Sequence, residues 1–305
     1  MLFINPKTDF AFKKIFGSEQ SHQILISLLN SLLYEGKSVI KSLDILNPYQ
    51  VPKIRGVKDT YLDVKAKLKN GKTIIIEMQV LNVEGFEKRI LYNAAKAYSI
   101  QLTIGQDYPL LNPVIALTIT DFEMFPELDA TISRFILKEK DFLIDYPAND
   151  LELVFVELPK FKQPLEELHS LKDKWIYFLQ HARDLRVVPD IMGNVPEIEQ
   201  AFAIANQANL TQEELEEFEH QAMFIQDQRG AVVKATKQGL QKGLQQGLEQ
   251  GLQQGLEQGL QQGLEQGTKQ SQVEIARRLL AILDNEIISQ MTELSVDEIQ
   301  QLRET

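Results

Sequence analysis

The segment YLDVKAKLKNGKTIIIEMQV, residues 61–80, predicts two β-strands joined at Asn70-Gly71, a dipeptide typical of hairpin turns. A two-residue loop would put the polar faces of the two strands on opposite sides of the hairpin. A three-residue loop, with Gly71 in a left-handed conformation, gathers the apolar side chains of both strands on one face, as a buried core requires. We therefore predict the three-residue loop, which places Asp63 directly across from Glu77.

This register sets two carboxylates against each other, and like charges in that position repel. A divalent cation bound by both would compensate the repulsion, and Lys65 on the same face is the alternative source of positive charge. The chain has no cysteine and only four histidines, which are scattered. A metal site would therefore consist mainly of oxygen ligands, which Mg²⁺, Mn²⁺ and Ca²⁺ prefer. The hairpin alone leaves both interpretations open: a metal site, or a salt-bridged and solvated face.

Helical and extended patterns alternate along the first half of the chain. Apolar residues recur at helical spacing in residues 19–36 and 86–102. Residues 38–46, 113–120 and 151–158 are short runs rich in β-forming residues. Together with the hairpin, this order predicts an α/β (α+β) fold in which a mixed sheet is flanked by helices.

The carboxy-terminal part is helical and acidic from residue 164 onward, and it contains a low-complexity tract. Glycine recurs at every fourth position from 239 to 267, and leucine from 240 to 264. A period of four exceeds the 3.6 residues of a helical turn, so the leucine stripe winds around the helix. Each interior glycine costs about 0.5–1 kcal/mol relative to alanine. We expect a helix that frays unless it associates with a second copy; the alternative is a flexible spacer.

The net charge of −11 is unevenly distributed. Residues 1–110 carry 15 Lys and Arg against 10 Asp and Glu, whereas residues 111–305 carry 17 against 33. The basic first third can therefore face phosphate although the whole chain is acidic. The apolar runs are too short for a membrane span, and the first residues lack the order of a signal peptide, so we expect a cytoplasmic protein without membrane association.

An aspartate followed about fourteen residues later by Glu-x-Gln on an apolar strand resembles the PD-(D/E)XK nuclease signature in its Glu-x-Gln form. Two flanking segments, KTDFAFKKIFG and RILYNAAKAYSIQL, extend the likeness to the recombination-promoting nuclease (Rpn) and PD-(D/E)XK transposase family. The resemblance covers residues 1–120 strongly and the acidic helical region loosely. The chain departs from the usual pattern at Gln79, which stands in the place of a lysine.

The resemblance implies a restriction-endonuclease-like fold and metal-dependent hydrolysis of DNA phosphodiester bonds. Asp63, Glu77 and the Met78 carbonyl would bind Mg²⁺, with Mn²⁺ or Ca²⁺ as alternatives, and the metal would polarise the phosphate and activate a water molecule. Gln79 would orient that water or a phosphate oxygen. Lys65 and Lys58 are the candidates to supply positive charge near the phosphate in place of the missing lysine.

Further residues are predicted to contact DNA or to support the acidic pair. Asp9 is either an accessory acidic residue or the cap of a helical turn at 8–13. Arg89 and Tyr92 lie on one face of the second predicted helix, which either lines the cleft or is simply solvated. The full set of DNA-contact candidates is Lys13, Arg55, Lys58, Arg89 and Tyr92.

We divide the chain into a nuclease core at 1–125, an acidic, mainly helical region at 126–230 with a strand near 151–158, the repeat tract at 231–268, and short helices at 269–305. The expected function is a metal-dependent DNA endonuclease that promotes recombination or transposition-like events. The alternative is a catalytically weak protein of the same fold that oligomerises or tethers partners through its repeat. The intact Asp–Glu-x-Gln set favours the first, and the acidic remainder and the missing lysine favour the second.

Overall fold

The computed structural model describes residues 1–50 and 60–304. Arg55 and Lys58 lie outside the described residues, so their contact with DNA stays a prediction. The chain forms two compact units, Met1–Arg229 and Gly230–Thr305. The finer boundaries at residues 125 and 268 also stay predictions.

A six-stranded mixed sheet is the centre of the first unit. Within the described residues, the strands in chain order are β1 (Leu43–Leu46), β2 (Tyr49–Gln50), β3 (Thr60–Tyr61), β4 (Val64–Leu68), β5 (Thr73–Gln79), β6 (Val114–Thr120), β7 (Ile132–Ile136) and β8 (Leu151–Glu157). The large sheet has the order β1-β4-β5-β6-β8-β7, and β2 pairs with β3 separately. β5, β6 and β8 are parallel to one another, and the other pairs of the large sheet are antiparallel. This is the mixed sheet that the sequence predicts.

Helices cover both faces of this sheet. Those described in the first unit are α1 (Asp9–Phe16), α2 (His22–Tyr34), α3 (Phe86–Ser99), α4 (Leu171–His181), α5 (Asp190–Gly193), α6 (Pro196–Ala205) and the start of α7 (Gln212–Leu279). α3 packs on one face, around Phe86, Ile90 and Phe155. The larger core on the other face includes aromatic side chains of α1, α4 and α6. Because both faces are covered, all seven residues of β6 are buried.

The hairpin adopts the predicted register wherever it is paired. Val64 pairs with Ile76, and the three-residue loop ends at Gly71, which has a φ of +88°. The predicted continuous strand over 60–68 is wrong. The strand is interrupted between β3 and β4, and the pairing with β5 stops at Val64. Asp63 therefore lies one residue beyond the last pair. Leu62 packs on the α3 side of the sheet, whereas Val64 packs on the opposite side.

Other element boundaries also differ from the sequence prediction. The first strand covers only the second half of the predicted segment 38–46. β7 was not predicted, and it forms an edge of the sheet inside the region expected to be mainly helical. Its sequence, ISRFI, is short and partly polar, because an edge strand has one side exposed.

Substituting Gly71 tests the loop that sets the hairpin register. Alanine at Gly71 should cost more than the roughly 1–3 kcal/mol expected for a strained backbone conformation, because its Cβ would also lie 2.1 Å from Asn112 Oδ1. Gly105→Ala is the matched control, since Gly105 has a φ of +86° and open space around it. Urea denaturation of both variants should show the larger loss for Gly71→Ala. Equal losses would mean that the contact with Asn112 does not constrain the loop.

The second unit contains the repeat tract as part of one continuous helix, α7. The seven leucines of the tract are between 64% and 75% exposed, and a Cβ at any of its glycines would meet open space. α8 (Asn285–Thr292) and α9 (Val296–Glu304) pack with the end of α7 around a small apolar core. A capping box begins α9: Ser295 N donates to Glu298 Oε2 at 3.0 Å, and Glu298 N donates to Ser295 Oγ at 3.3 Å. Among the described residues, no helix has the length and apolar character needed to cross a membrane.

Candidate active site

The predicted acidic pair lies where β4 begins and β5 ends. Asp63 directly precedes β4, and Glu77 lies two residues before the end of β5. Their side chains are only 16% and 12% exposed. Met78, between Glu77 and Gln79, points its side chain into the main core, because successive residues of a strand face opposite sides. The strand alternation thus presents Glu77 and Gln79 together on the face covered by α3.

Asp63 is held by the backbone of β5 and lies beside a second acid. Its Oδ2 accepts a hydrogen bond from Met78 N at 2.6 Å. Burial, and after it the neighbouring carboxyl group of Asp9, raise the pKa of Asp63 well above its usual value. The Met78 N–H and Lys13, whose Nζ lies 3.9 Å from Asp63 Oδ1, oppose this rise. Two acids here share one nearby cation, so the negative charge at Asp63 is incompletely compensated.

The position of Asp9 decides between the two interpretations of this residue. Thr8 is the cap of α1, and its Oγ1 accepts a hydrogen bond from Ala11 N at 3.3 Å. The alternative that Asp9 caps the turn is therefore wrong. Asp9 is the first residue of the helix, and its carboxylate forms an ion pair of 2.7 Å with Lys13. Asp9 lies beside Asp63, and its role as an accessory acid stays a prediction.

Glu77 is positioned by α3. Asn93 Nδ2 donates a hydrogen bond to Glu77 Oε1, and Arg89 Nε lies 3.9 Å from Glu77 Oε2. Burial raises the pKa of Glu77, while Asn93 and Arg89 act in the opposite direction. The other amide atom, Asn93 Oδ1, is buried without a hydrogen-bond partner in the described structure. Sequence reasoning missed Asn93, although its spacing of four from Arg89 places both on one helix face.

Gln79 holds the positively charged side chain of Arg89 in the site. Its Oε1 accepts a hydrogen bond from Arg89 Nη2 at 2.7 Å, and its Nε2 donates to the Leu81 carbonyl at 2.8 Å. The Arg89 guanidinium also lies 5.1 Å from the ring centroid of Phe86, a favourable cation–π distance. The residue that replaces the usual lysine thus holds the charge of Arg89 beside Glu77.

The other predicted residues are less closely connected to the acids. Lys65 is half-buried, and burial lowers its pKa. No ion pair of Lys65 occurs within residues 1–50 and 60–304, so the alternative in which Lys65 neutralises the acids is wrong; Lys13 and Arg89 are the nearby cations. Tyr92 is 39% exposed. The roles of Lys65, Lys13 and Tyr92 toward DNA stay predictions.

The oxygen atoms at this site suit a hard divalent cation. Asp63 and Glu77 are carboxylates kept from water, and Asn93 Oδ1 is an unpartnered buried acceptor beside them. In the described part of the chain, no three His, Asp or Glu side chains are close enough together to bind a metal ion. A cation would therefore be bound by the acidic pair with backbone and water oxygens, as Mg²⁺ commonly is in proteins.

The raised pKa of Asp63 gives a pH dependence that can be measured without metal. Because the folded state binds this proton more tightly than the unfolded state, stability should fall as the pH rises from about 4 through the raised pKa. Asp63→Asn removes the ionisation, so thermal unfolding in EDTA should show the variant gaining on the wild type as the pH rises. Saturating Mg²⁺ should reverse the order at neutral pH, because the cation binds the ionised carboxylate. A pH-independent difference would contradict the pKa assignment.

The comparisons with known proteins agree with this architecture. The sequence profile described as PD-(D/E)XK nuclease family transposase matches residues 6–235. Comparisons with curated proteins and with solved structures give no match. The match spans most of the chain and includes the mixed sheet, the acidic pair and α3, and the chain therefore belongs to the PD-(D/E)XK nuclease family transposases.

Proposed function

We propose that the protein is a metal-dependent DNA endonuclease that hydrolyses phosphodiester bonds at the site around Asp63 and Glu77. The observation that carries this proposal is the pair of buried carboxylates, with incomplete compensation of charge, in a chain of a nuclease family. Nucleases of this class generally use divalent metal ions. Strand breaks made in this way would promote recombination or transposition-like events.

Different residues of the chain would have different roles in such a site. Asp63, Glu77 and the Met78 carbonyl would bind Mg²⁺, which when bound supplies a Lewis acid for the phosphate and lowers the pKa of a water molecule. Asn93 fixes the carboxylate of Glu77 through its amide N–H. The Met78 N–H holds the carboxyl group of Asp63, and Asp9 would act beside it as an accessory acid.

Arg89 is the proposed substitute for the missing lysine. The hydrogen bond from Arg89 to Gln79 and the approach to Glu77 hold its guanidinium next to the acidic pair. A fixed cation at this position would stabilise the negative charge that grows on the phosphate oxygens during hydrolysis. This proposal gives Gln79 a positioning role, because both ends of its amide already form hydrogen bonds.

Nicking of supercoiled plasmid DNA tests the proposed activity. Full-length protein should convert supercoiled plasmid to open circles in Mg²⁺ and not in EDTA, and Asp63→Ala should be inactive in both. Cleavage by Asp63→Ala at the wild-type rate would show that a contaminant or another site is responsible. No cleavage by the wild type in Mg²⁺ or Mn²⁺ would overturn the proposal.

The exposed leucines of the repeat tract support a second proposed property, self-association through residues 239–267. A leucine gains about 1.5–3 kcal/mol when it is fully buried, so seven leucines on a partner could exceed the cost of the glycines. Light scattering after size exclusion should therefore give a larger assembly for the full chain than for a chain ending at Arg229. Leu248, Leu252 and Leu256 changed to glutamine in the full chain should also reduce assembly. An unchanged oligomeric state in both would make the tract a spacer.

A further inference from the structure

An open trough of about 460 Å³ adjoins the candidate active site. Three of its lining residues, Asp9, Gln79 and Arg89, belong to that site. Other lining residues come from one face of α7, in its third to fifth turns, and include Gln221, Phe224 and Gln228. Their spacing of three and four residues puts them on the same side of the helix. Whatever enters the trough therefore lies between the acidic site and this face of α7.

Three contacts of α7 with the rest of the first unit hold this part of the helix. Gln221 Oε1 accepts a hydrogen bond from Phe10 N at 2.8 Å. Lys14 forms an ion pair with Glu214, and Arg229 Nη2 lies 2.7 Å from Asp121 Oδ2. These contacts hold the helix in place, so the lining residues of α7 are a fixed part of the trough.

The side chain of Phe224 is not part of the hydrophobic core. Its side chain is 62% exposed, whereas Phe218, less than two turns earlier on the same helix, is 7% exposed and belongs to the core. In the described part of the chain, the Phe224 ring contacts no other aromatic ring, and the Gln228 amide forms no hydrogen bond. The trough thus offers a free aromatic face and a free amide. Arg89 supplies positive charge at one side of it, whereas Lys7 is ion-paired with Asp121 at 2.9 Å.

We infer that this trough is a subsite for one unstacked nucleobase beside the phosphate that is cleaved, with Phe224 as the stacking partner. An aromatic face stacks on any base, an amide can hydrogen-bond a base edge, and the guanidinium of Arg89 suits an attached phosphate. A base inside a perfect duplex is already stacked on its neighbours and cannot reach a side chain. The inference rests on the proposed nuclease function and narrows its substrate to DNA with unpaired bases at the cleavage point.

The affinity of the full-length chain for two DNAs tests this subsite. One is a perfect duplex, and the other is the same duplex with a short bulge of unpaired nucleotides. Glu77→Gln in every protein prevents cleavage during the measurement. The parent should prefer the bulged DNA. Phe224→Ala should weaken binding to the bulged DNA by about 5- to 100-fold and change duplex binding by less than about twofold, and Phe224→Trp should keep the preference.

Phe142→Ala is the matched control, because Phe142 is 81% exposed and does not line the trough. It should bind both DNAs like the parent. A Phe224→Ala variant that keeps the preference for bulged DNA, or loses affinity for both DNAs equally, would overturn the inference. So would a change of oligomeric state in Phe224→Ala without a change of DNA preference, because the face would then contact a second copy.

The test separates this inference from the proposed function. The wild type could nick plasmid DNA in Mg²⁺ while Phe224→Ala keeps the preference for bulged DNA. That result would support the proposed nuclease function and exclude only the base subsite. A wild-type protein that neither binds nor cleaves any DNA would remove both. Photocrosslinking of 5-iodouracil placed in the bulge adds a direct readout, because the crosslinked peptide should contain Phe224.

Discussion

Asp63→Asn and Glu77→Gln should each lower the rate of metal-dependent DNA cleavage by about a hundredfold to a thousandfold or more, the range found when a group that stabilises transition-state charge is removed. Each substitution keeps the shape of the side chain and removes the charge that a cation needs. The rate of plasmid nicking in Mg²⁺ measures the effect. Asp44→Asn is the matched control, since Asp44 is an exposed acid on β1, and it should cleave like the wild type.

Stability measurements show whether such a loss comes from the chemistry or from misfolding. Removing one of two neighbouring acids relieves repulsion in the metal-free protein, so Asp63→Asn should unfold in EDTA at the wild-type temperature or above. The same variant should lose most of the stabilisation that Mg²⁺ gives the wild type, because a ligand that binds only the folded state stabilises it. Cleavage at the wild-type rate by either variant would remove the substituted carboxylate from the proposed active site.

Arg89→Met should lower the cleavage rate by about a hundredfold, because the site loses the fixed cation that Gln79 holds beside Glu77. Arg89→Lys should restore part of the rate, since a lysine supplies the charge without the paired N–H groups of a guanidinium. Lys88→Met is the control, because Lys88 is the exposed neighbouring residue of α3. Cleavage should be measured under single-turnover conditions with saturating protein, so that weaker DNA binding does not contribute.

An Arg89→Met variant that binds DNA more weakly but cleaves bound DNA at the normal rate would make Arg89 a binding residue. Failure of Arg89→Lys to recover any activity would point to the geometry of the guanidinium instead of its charge. Both results would leave Asp63 and Glu77 in their proposed roles.

The hairpin shows what the sequence can predict about this fold. The apolar residues on both sides of the turn require one face in common, and only one loop length provides it, so the register could be worked out from the pattern. The interruption of the strand before Asp63 could not be predicted from the pattern, because it depends on the packing of Leu62 against α3 on the opposite side of the sheet. A side-chain pattern does not reveal which face of a sheet a later helix will cover.

The residues of the candidate site also fall into those that the sequence predicts and those that it does not. Asp63, Glu77 and Gln79 could be selected because polar residues in the interior of predicted strands need an explanation. Asn93 and the bond between Arg89 and Gln79 depend on how α3 packs over β5, which no local pattern encodes. That Asp9 does not cap α1 could be decided only from the position of the neighbouring Thr8.

The bond between Gln79 and Arg89 constrains how this site can evolve. A lysine at position 79 would remove the acceptor that holds the guanidinium and would set a second positive charge against it. Arg89 without that acceptor would lose its fixed position beside Glu77. We therefore expect the two positions to be coupled, so that a lysine at position 79 works only when the residue at position 89 changes with it.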